Sequence, residues 1–165
     1  MVLATHPHFP DGLTMMPQTS ILLPLLAMIA LVLAVWVRLY IDRISELRSH
    51  RIPLQDISTA RQMAERLTNT NAADNFKNLF EMPVLFYVFC LTIFVTQSVT
   101  LMFVGCAWLY VLLRVVHSVI HCTYNNVLHR FIVYALSSLV LFTMWLMFGV
   151  QILSGTLHAP VALPH

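Results

Sequence analysis

Residues 131–153 read FIVYALSSLVLFTMWLMFGVQIL, a run without a single charge. About 20 apolar helical residues cross the hydrocarbon core of a bilayer, and this run supplies them. Three further apolar blocks precede it. SILLPLLAMIALVLAVWV covers 20–37, VLFYVFCLTIFVT follows Pro83, and LMFVGCAWLYVLL leads into Arg114. The expected architecture is all-α: an integral membrane four-helix bundle of up-down topology. Its spans are placed at about 20–41, 76–96, 99–122 and 131–153, within one domain covering 20–153.

Composition supports this reading. The 165 residues are 59% hydrophobic and 10% charged, with mean hydropathy +0.79. Soluble domains carry about 25% charged residues. Residues 1–19 hold three prolines and no Lys or Arg. They lack the positive n-region and small-residue cleavage site of a secretory signal, so they are read as an irregular tail before a retained span. Residues 154–165 form a second tail. The three cysteines, Cys90, Cys106 and Cys122, lie in or beside apolar segments. An odd number so placed argues for buried thiols rather than a disulfide framework.

Charge is unevenly placed. Of nine Lys and Arg, five (Arg43, Arg48, Arg51, Arg61, Arg66) fall in the polar stretch 42–75. They alternate with Asp42, Glu46, Asp56 and Glu65 and have no interleaved aromatics, so no nucleic-acid surface is expected. That stretch, with a short amphipathic helix around 57–67, reads as a cytoplasmic loop. By the excess of basic residues on the cytoplasmic side, the 123–130 connector TYNNVLHR joins it there. The uncharged hairpin TQSVT (96–100) and both termini are then non-cytoplasmic.

The polar residues inside the spans gather at one depth. Arg38 ends the first span, Glu81 lies about one turn into the second, Arg114, His117 and His121 lie in the inner half of the third, and Arg130 and Tyr134 begin the fourth. At about 1.5 Å rise per residue they share a layer roughly 10–15 Å thick. Spacings of three, four and seven put Asn78 with Glu81, Arg114 with both histidines, and Arg130 with Tyr134 on common helix faces. Charges in a bilayer are tolerated where they pair or line a cavity. Glu81 is therefore expected to meet Arg114 across facing helices, at the rim of a cationic pocket suited to a small anionic ligand. The alternative is a structural ion pair.

Other polar and aromatic positions have plainer readings. Lys77 is a snorkelling anchor, and Asp74 or Asn75 caps the second span. Trp36, Tyr40, Trp108 and Tyr110 are interfacial or lipid-facing aromatics. His117 and His121 have a spacing able to chelate a metal, and an intramembrane metal or haem site there is a further alternative. With Glu81 the only nearby carboxylate, no metal is assigned.

NFKNLFEMPVLFY followed by WLYVLLRVVHSVIHCTYNNVLHRFIVY resembles the MAPEG family, the membrane-associated proteins in eicosanoid and glutathione metabolism. The resemblance rests on Asn78, Glu81 and Pro83, then Arg114, His117 and His121, then Arg130 with Tyr134. It implies a microsomal-type glutathione transferase or peroxidase acting on a lipophilic electrophile. It also implies a homotrimer, with glutathione as co-substrate between neighbouring subunits. Carried over, Asn78 and Glu81 meet the amino end of the tripeptide, with Arg114 behind Glu81. Arg38 holds a carboxylate, while His117, His121 and Tyr134 line the pocket. Arg130, as the catalytic residue, stabilises the thiolate. Asp74 and Phe131 stand where relatives carry Arg and Ser, and His121 stands where Tyr is commoner. The non-catalytic alternative is a lipid- or ligand-binding membrane protein using the same pocket. Membrane lipid surrounds the chain, and a bacterial inner membrane is the expected location.

Overall fold

The computed structural model describes residues 16–155 apart from 60, 64–66 and 68. Among the described residues, α-helices run in the order α1 (Leu22–His50), α2 (Asn71–Asn78), α3 (Met82–Val95), α4 (Leu101–Cys122) and α5 (Val127–Leu153), and 61–63 are also helical. No β-strand occurs among the described residues. Four helical stretches there are long and apolar enough to cross a membrane: Gln18–His50, Asn71–Val95, Leu101–Cys122 and Val127–Leu153. The amphipathic helix expected around 57–67 lies partly outside the described residues.

Local chemistry sets the helix ends. α1 continues past residue 41 to His50 and stops where Arg51 takes φ +50°. The Ile52 N–H then closes on the Leu47 carbonyl at 3.1 Å, and Pro53 forbids continuation. α2 begins at Asn71, earlier than the 76 expected, with Thr70 preceding it. α2 and α3 are separated by a break at Leu79–Glu81, where Glu81 has φ −97° and ψ −102° and Pro83 lies in the first turn of α3. The proline lacks the N–H that would continue the ladder, so the break falls one turn before it.

The two hairpin connections are tight. Gln97 (φ +54°) and Asn125 (φ +46°) provide the left-handed residues. Thr100 caps α4 by accepting from the Phe103 N–H at 3.3 Å. Asn126 caps α5 by accepting from the N–H groups of Leu128 and His129 at 3.0 and 3.1 Å, so α5 starts before residue 131. Each cap satisfies donors that the first helical turn leaves unpaired.

The core is a column of side chains shared by the helices. Ile21 and Met28 meet Phe86, Phe89 and Ile93 of α3, Phe103 and Ala107 of α4, and Leu141 and Met144 of α5. Outside it, Leu26, Leu33, Leu109, Leu112, Leu139 and Leu146 are exposed. Helices apolar on both faces suit a lipid surround. Trp36, Tyr40 and Trp108 are among the exposed residues, whereas Tyr110 is fully buried. Tyr110 stacks on Phe86 at 4.6 Å, which corrects its reading as a lipid-facing aromatic.

Candidate functional site: a buried cationic cluster

The second half of α4 and the first turns of α5 build the site. Helical spacing puts Tyr110, Arg114, His117, Ser118 and His121 on the buried side of α4. α5 brings Arg130 and Tyr134 against them. The Arg114 guanidinium carbon lies 4.8 Å from the Tyr134 ring centroid and 5.4 Å from that of Tyr110. Its Nε–H donates to the Tyr110 hydroxyl at 3.1 Å. The ring centroids of His117 and His121 are 5.7 Å apart, and His117 lies 5.8 Å from Tyr134.

Arg130 fixes the hydrogen-bonding sense of both histidines. Its carbonyl can only accept, so the 3.1 Å contact with His117 Nδ1 makes that nitrogen the donor. His117 Nε2 is left as the lone-pair nitrogen. The Arg130 Nη1 group can only donate, so the 3.1 Å contact with His121 Nε2 makes that nitrogen the acceptor. The proton of neutral His121 then sits on Nδ1.

The arrangement leaves polar atoms stranded. Arg114 has 0% exposure, and both its Nη groups are buried without a partner among the described residues, as are His117 Nε2, His121 Nδ1 and the Tyr87 hydroxyl. A buried donor left unmade costs about 1–3 kcal/mol, more when charged. A cation over an aromatic face recovers only about 0.5–2 kcal/mol. The cluster therefore favours an added group that accepts from Arg114 and from His121 Nδ1 and donates to His117 Nε2. An anion bearing an adjacent N–H or O–H fits that demand.

The remaining expected residues lie apart. Glu81 is exposed at the α2–α3 break, and the ion pair expected with Arg114 does not form within the described residues. The helix break removes the register that a continuous span would have given Glu81, while Arg114 turns to Tyr110 and Tyr134. Asn78 is half-buried beside that break. Arg38 is exposed and pairs with Asp42 at 2.9 Å. Lys77 is exposed and bridges to Asp74 at 3.3 Å. A separate pocket of about 170 Å³ opens between α1, α2 and the residues Met63, Leu67, Asn69 and Thr70, with Asp42, Arg43, Asp74 and Lys77 in its lining. Arg114 does not line it.

Three positions escaped the sequence reading. Asn75 caps nothing: it is buried inside α2, accepts from Ser118 Oγ at 3.4 Å and donates to Cys122 Sγ at 3.4 Å. Tyr110, read as lipid-facing, lies four residues before Arg114 on the same helix face, and that spacing is the signal that could have found it. Asn125 donates to Asn71 Oδ1 at 2.8 Å and accepts from Arg130 Nη1 at 2.7 Å. Cys90, Cys106 and Cys122 are free thiols. Among the described residues no group of three or more His, Cys, Asp or Glu could hold a metal ion. His121 Nε2 already faces a guanidinium, so that nitrogen is not open to join His117 in a chelate.

The all-helical, membrane-capable architecture agrees with one comparison. Residues 21–150 match the MAPEG family. The chain belongs to the MAPEG family. As a MAPEG protein with four membrane-capable helices, it is an integral multi-pass membrane protein. No curated protein and no solved structure matches it at a significant level.

Proposed function

We propose that this MAPEG protein is a glutathione-dependent transferase or peroxidase acting on a lipophilic electrophile. The observation that carries the proposal is Arg114, wholly buried with both Nη groups unpartnered, packed among His117, Tyr134 and Tyr110. A buried guanidinium stays protonated and calls for an anion, which a glutathione carboxylate supplies. The α-ammonium of glutathione offers N–H donors to His117 Nε2.

Arg130 is the catalytic residue in this proposal. A free thiol has a pKa of about 8.5, and only the thiolate attacks. Each unit of depression requires about 1.36 kcal/mol of preference for the anion, which a nearby guanidinium provides. The thiol releases its proton to solvent. The sulfur then forms a bond to the electrophilic carbon or peroxide oxygen, and the leaving group departs with the bonding pair.

Glu81, Asn78 and Arg38 lie outside the buried cluster of their own chain. Assembly as a homotrimer gives them a role, with glutathione held between neighbouring subunits. Glu81 and Asn78 then meet its amino end, Arg38 holds its second carboxylate, and His121 and Tyr134 line the pocket. The Arg-rich connector and the 123–126 turn are assigned to the cytoplasmic side of a bacterial inner membrane, with both termini opposite.

Conjugation of glutathione to a chromogenic electrophile tests the proposal, with Arg130→Ala beside the parent protein. The variant is expected to lose about tenfold in rate near neutral pH for each unit of thiol pKa it fails to depress. Equal rates would remove Arg130 from the chemistry. Glutathione binding without turnover would instead support the non-catalytic ligand-binding alternative.

A further inference from the structure

The α4–α5 connection contains a side chain whose contacts converge on Arg130. Asn125 occupies φ +46°, a left-handed conformation that asparagine tolerates better than most L-residues. Its N–H closes on the Ile120 carbonyl at 2.8 Å, which anchors the backbone at the end of α4. Its side chain then works in two directions. Nδ2 donates to Asn71 Oδ1 on the first turn of α2, and Oδ1 accepts from Arg130 Nη1 at 2.7 Å.

The same Nη1 also donates to His121 Nε2 at 3.1 Å. An Nη group has two hydrogens, so both are taken. The Nε–H and the Nη2 hydrogens have no partner among the described residues. Arg130 is half-buried and stands one turn into α5, where a long cationic side chain would otherwise reach toward water. Two neutral acceptors hold it back. Neither carries a charge that would cancel that of the guanidinium, which is the difference between an asparagine and an aspartate here.

We propose that Asn125, acting with His121, is a positioning residue: it clamps Nη1 so that the Nε and Nη2 edge of Arg130 is presented to an anionic sulfur. This deepens the role given to Arg130 above and rests on it. The clamp also accounts for a histidine at 121, because a neutral imidazole can accept from Arg130 through one nitrogen and offer a proton through the other.

The test is a pH titration of the thiolate absorbance of bound glutathione, with the full chain in lipid nanodiscs. Asn125→Gly keeps the left-handed backbone and removes the acceptor. Asn125→Asp keeps an acceptor and cancels the charge. Both are expected to raise the apparent pKa of the bound thiol by about one unit, a tenfold loss of thiolate at fixed pH. Affinity for S-methyl glutathione, which has no thiol to ionise, should be unchanged. Combining Asn125→Gly with Arg130→Ala should shift the titration no further than Arg130→Ala alone, since both act through one group.

Parent-like titration of Asn125→Gly, with Arg130→Ala still shifted, overturns the clamp and leaves the transferase proposal standing. A parent protein that gives bound thiol no lower pKa than free thiol overturns both. Equal loss of S-methyl glutathione affinity in both Asn125 variants assigns Asn125 to holding the fold and also overturns the clamp. Should Asn125→Gly fail to fold, the Asn125→Asp titration decides alone, a parent-like curve rejecting the clamp.

Discussion

The two halves of the α3–α4–α5 body both hold fully buried side chains and are differently satisfied. In the half near the 96–100 hairpin, Phe89 meets Phe103, Trp145 and Phe148 edge-on, with centroids 5.3–6.2 Å apart. The Trp145 indole N–H donates to the Leu85 carbonyl at 3.3 Å. In the half near the 123–126 connection, Arg114 and His117 are just as hidden from solvent, yet polar atoms remain without partners. One half is complete as a single chain. The other is finished only by something added to it. Changes in the first should therefore act on stability, and changes in the second on binding.

The largest effect is expected from Phe89→Ala. Truncating a fully buried phenylalanine costs about 3–5 kcal/mol through lost burial and the cavity left behind. Thermal unfolding in detergent should show a large fall in Tm, while glutathione affinity of the protein that remains folded stays near the parent value. A parallel fall in affinity would show that the two halves are coupled.

Arg114→Met asks the opposite question. Replacing a buried, unpartnered charge by an apolar side chain of similar length is often neutral or stabilising. The ligand-free variant should thus melt at the parent temperature or above it. Binding should weaken on the order of 10- to 100-fold, as expected for a charged hydrogen bond worth about 1.5–3 kcal/mol. Isothermal titration in nanodiscs, paired with melting of the ligand-free protein, reads both. A strongly destabilised variant would mean that Arg114 is already paired within the native assembly, and the cluster would no longer call for an anion.

The apolar half was legible in the sequence because length and hydropathy alone define membrane-capable helices. Much of the polar half was legible too. Arg114, His117 and His121 share a face by spacing, and the connection to α5 is too short to carry Arg130 and Tyr134 away from them. What was not legible depended on backbone detail. The Asn78–Glu81 face assumes an unbroken helix, and the break at 79–81 turns Glu81 outward. Asn75 read as a cap because α2 was not foreseen to begin at Asn71. Asn125 acts through a left-handed backbone and a partner, Asn71, that is 54 positions away. No periodicity reports such a contact.

The smallest expected effect sharpens the comparison most. Trp145→Phe keeps an aromatic ring against Phe89 and Phe148, makes that ring smaller, and removes the N–H that reaches Leu85 across the α3–α5 contact. Hydrogen bonds between membrane helices contribute about 0.6 kcal/mol on average, so Tm should fall slightly and ligand binding not at all. If packing holds this half together, the loss stays several times smaller than that of Phe89→Ala in the same detergent. A loss rivalling Phe89→Ala would mean that a polar bond holds the apolar half as well. The division between a half stabilised by packing and a half awaiting a ligand would then have to be abandoned.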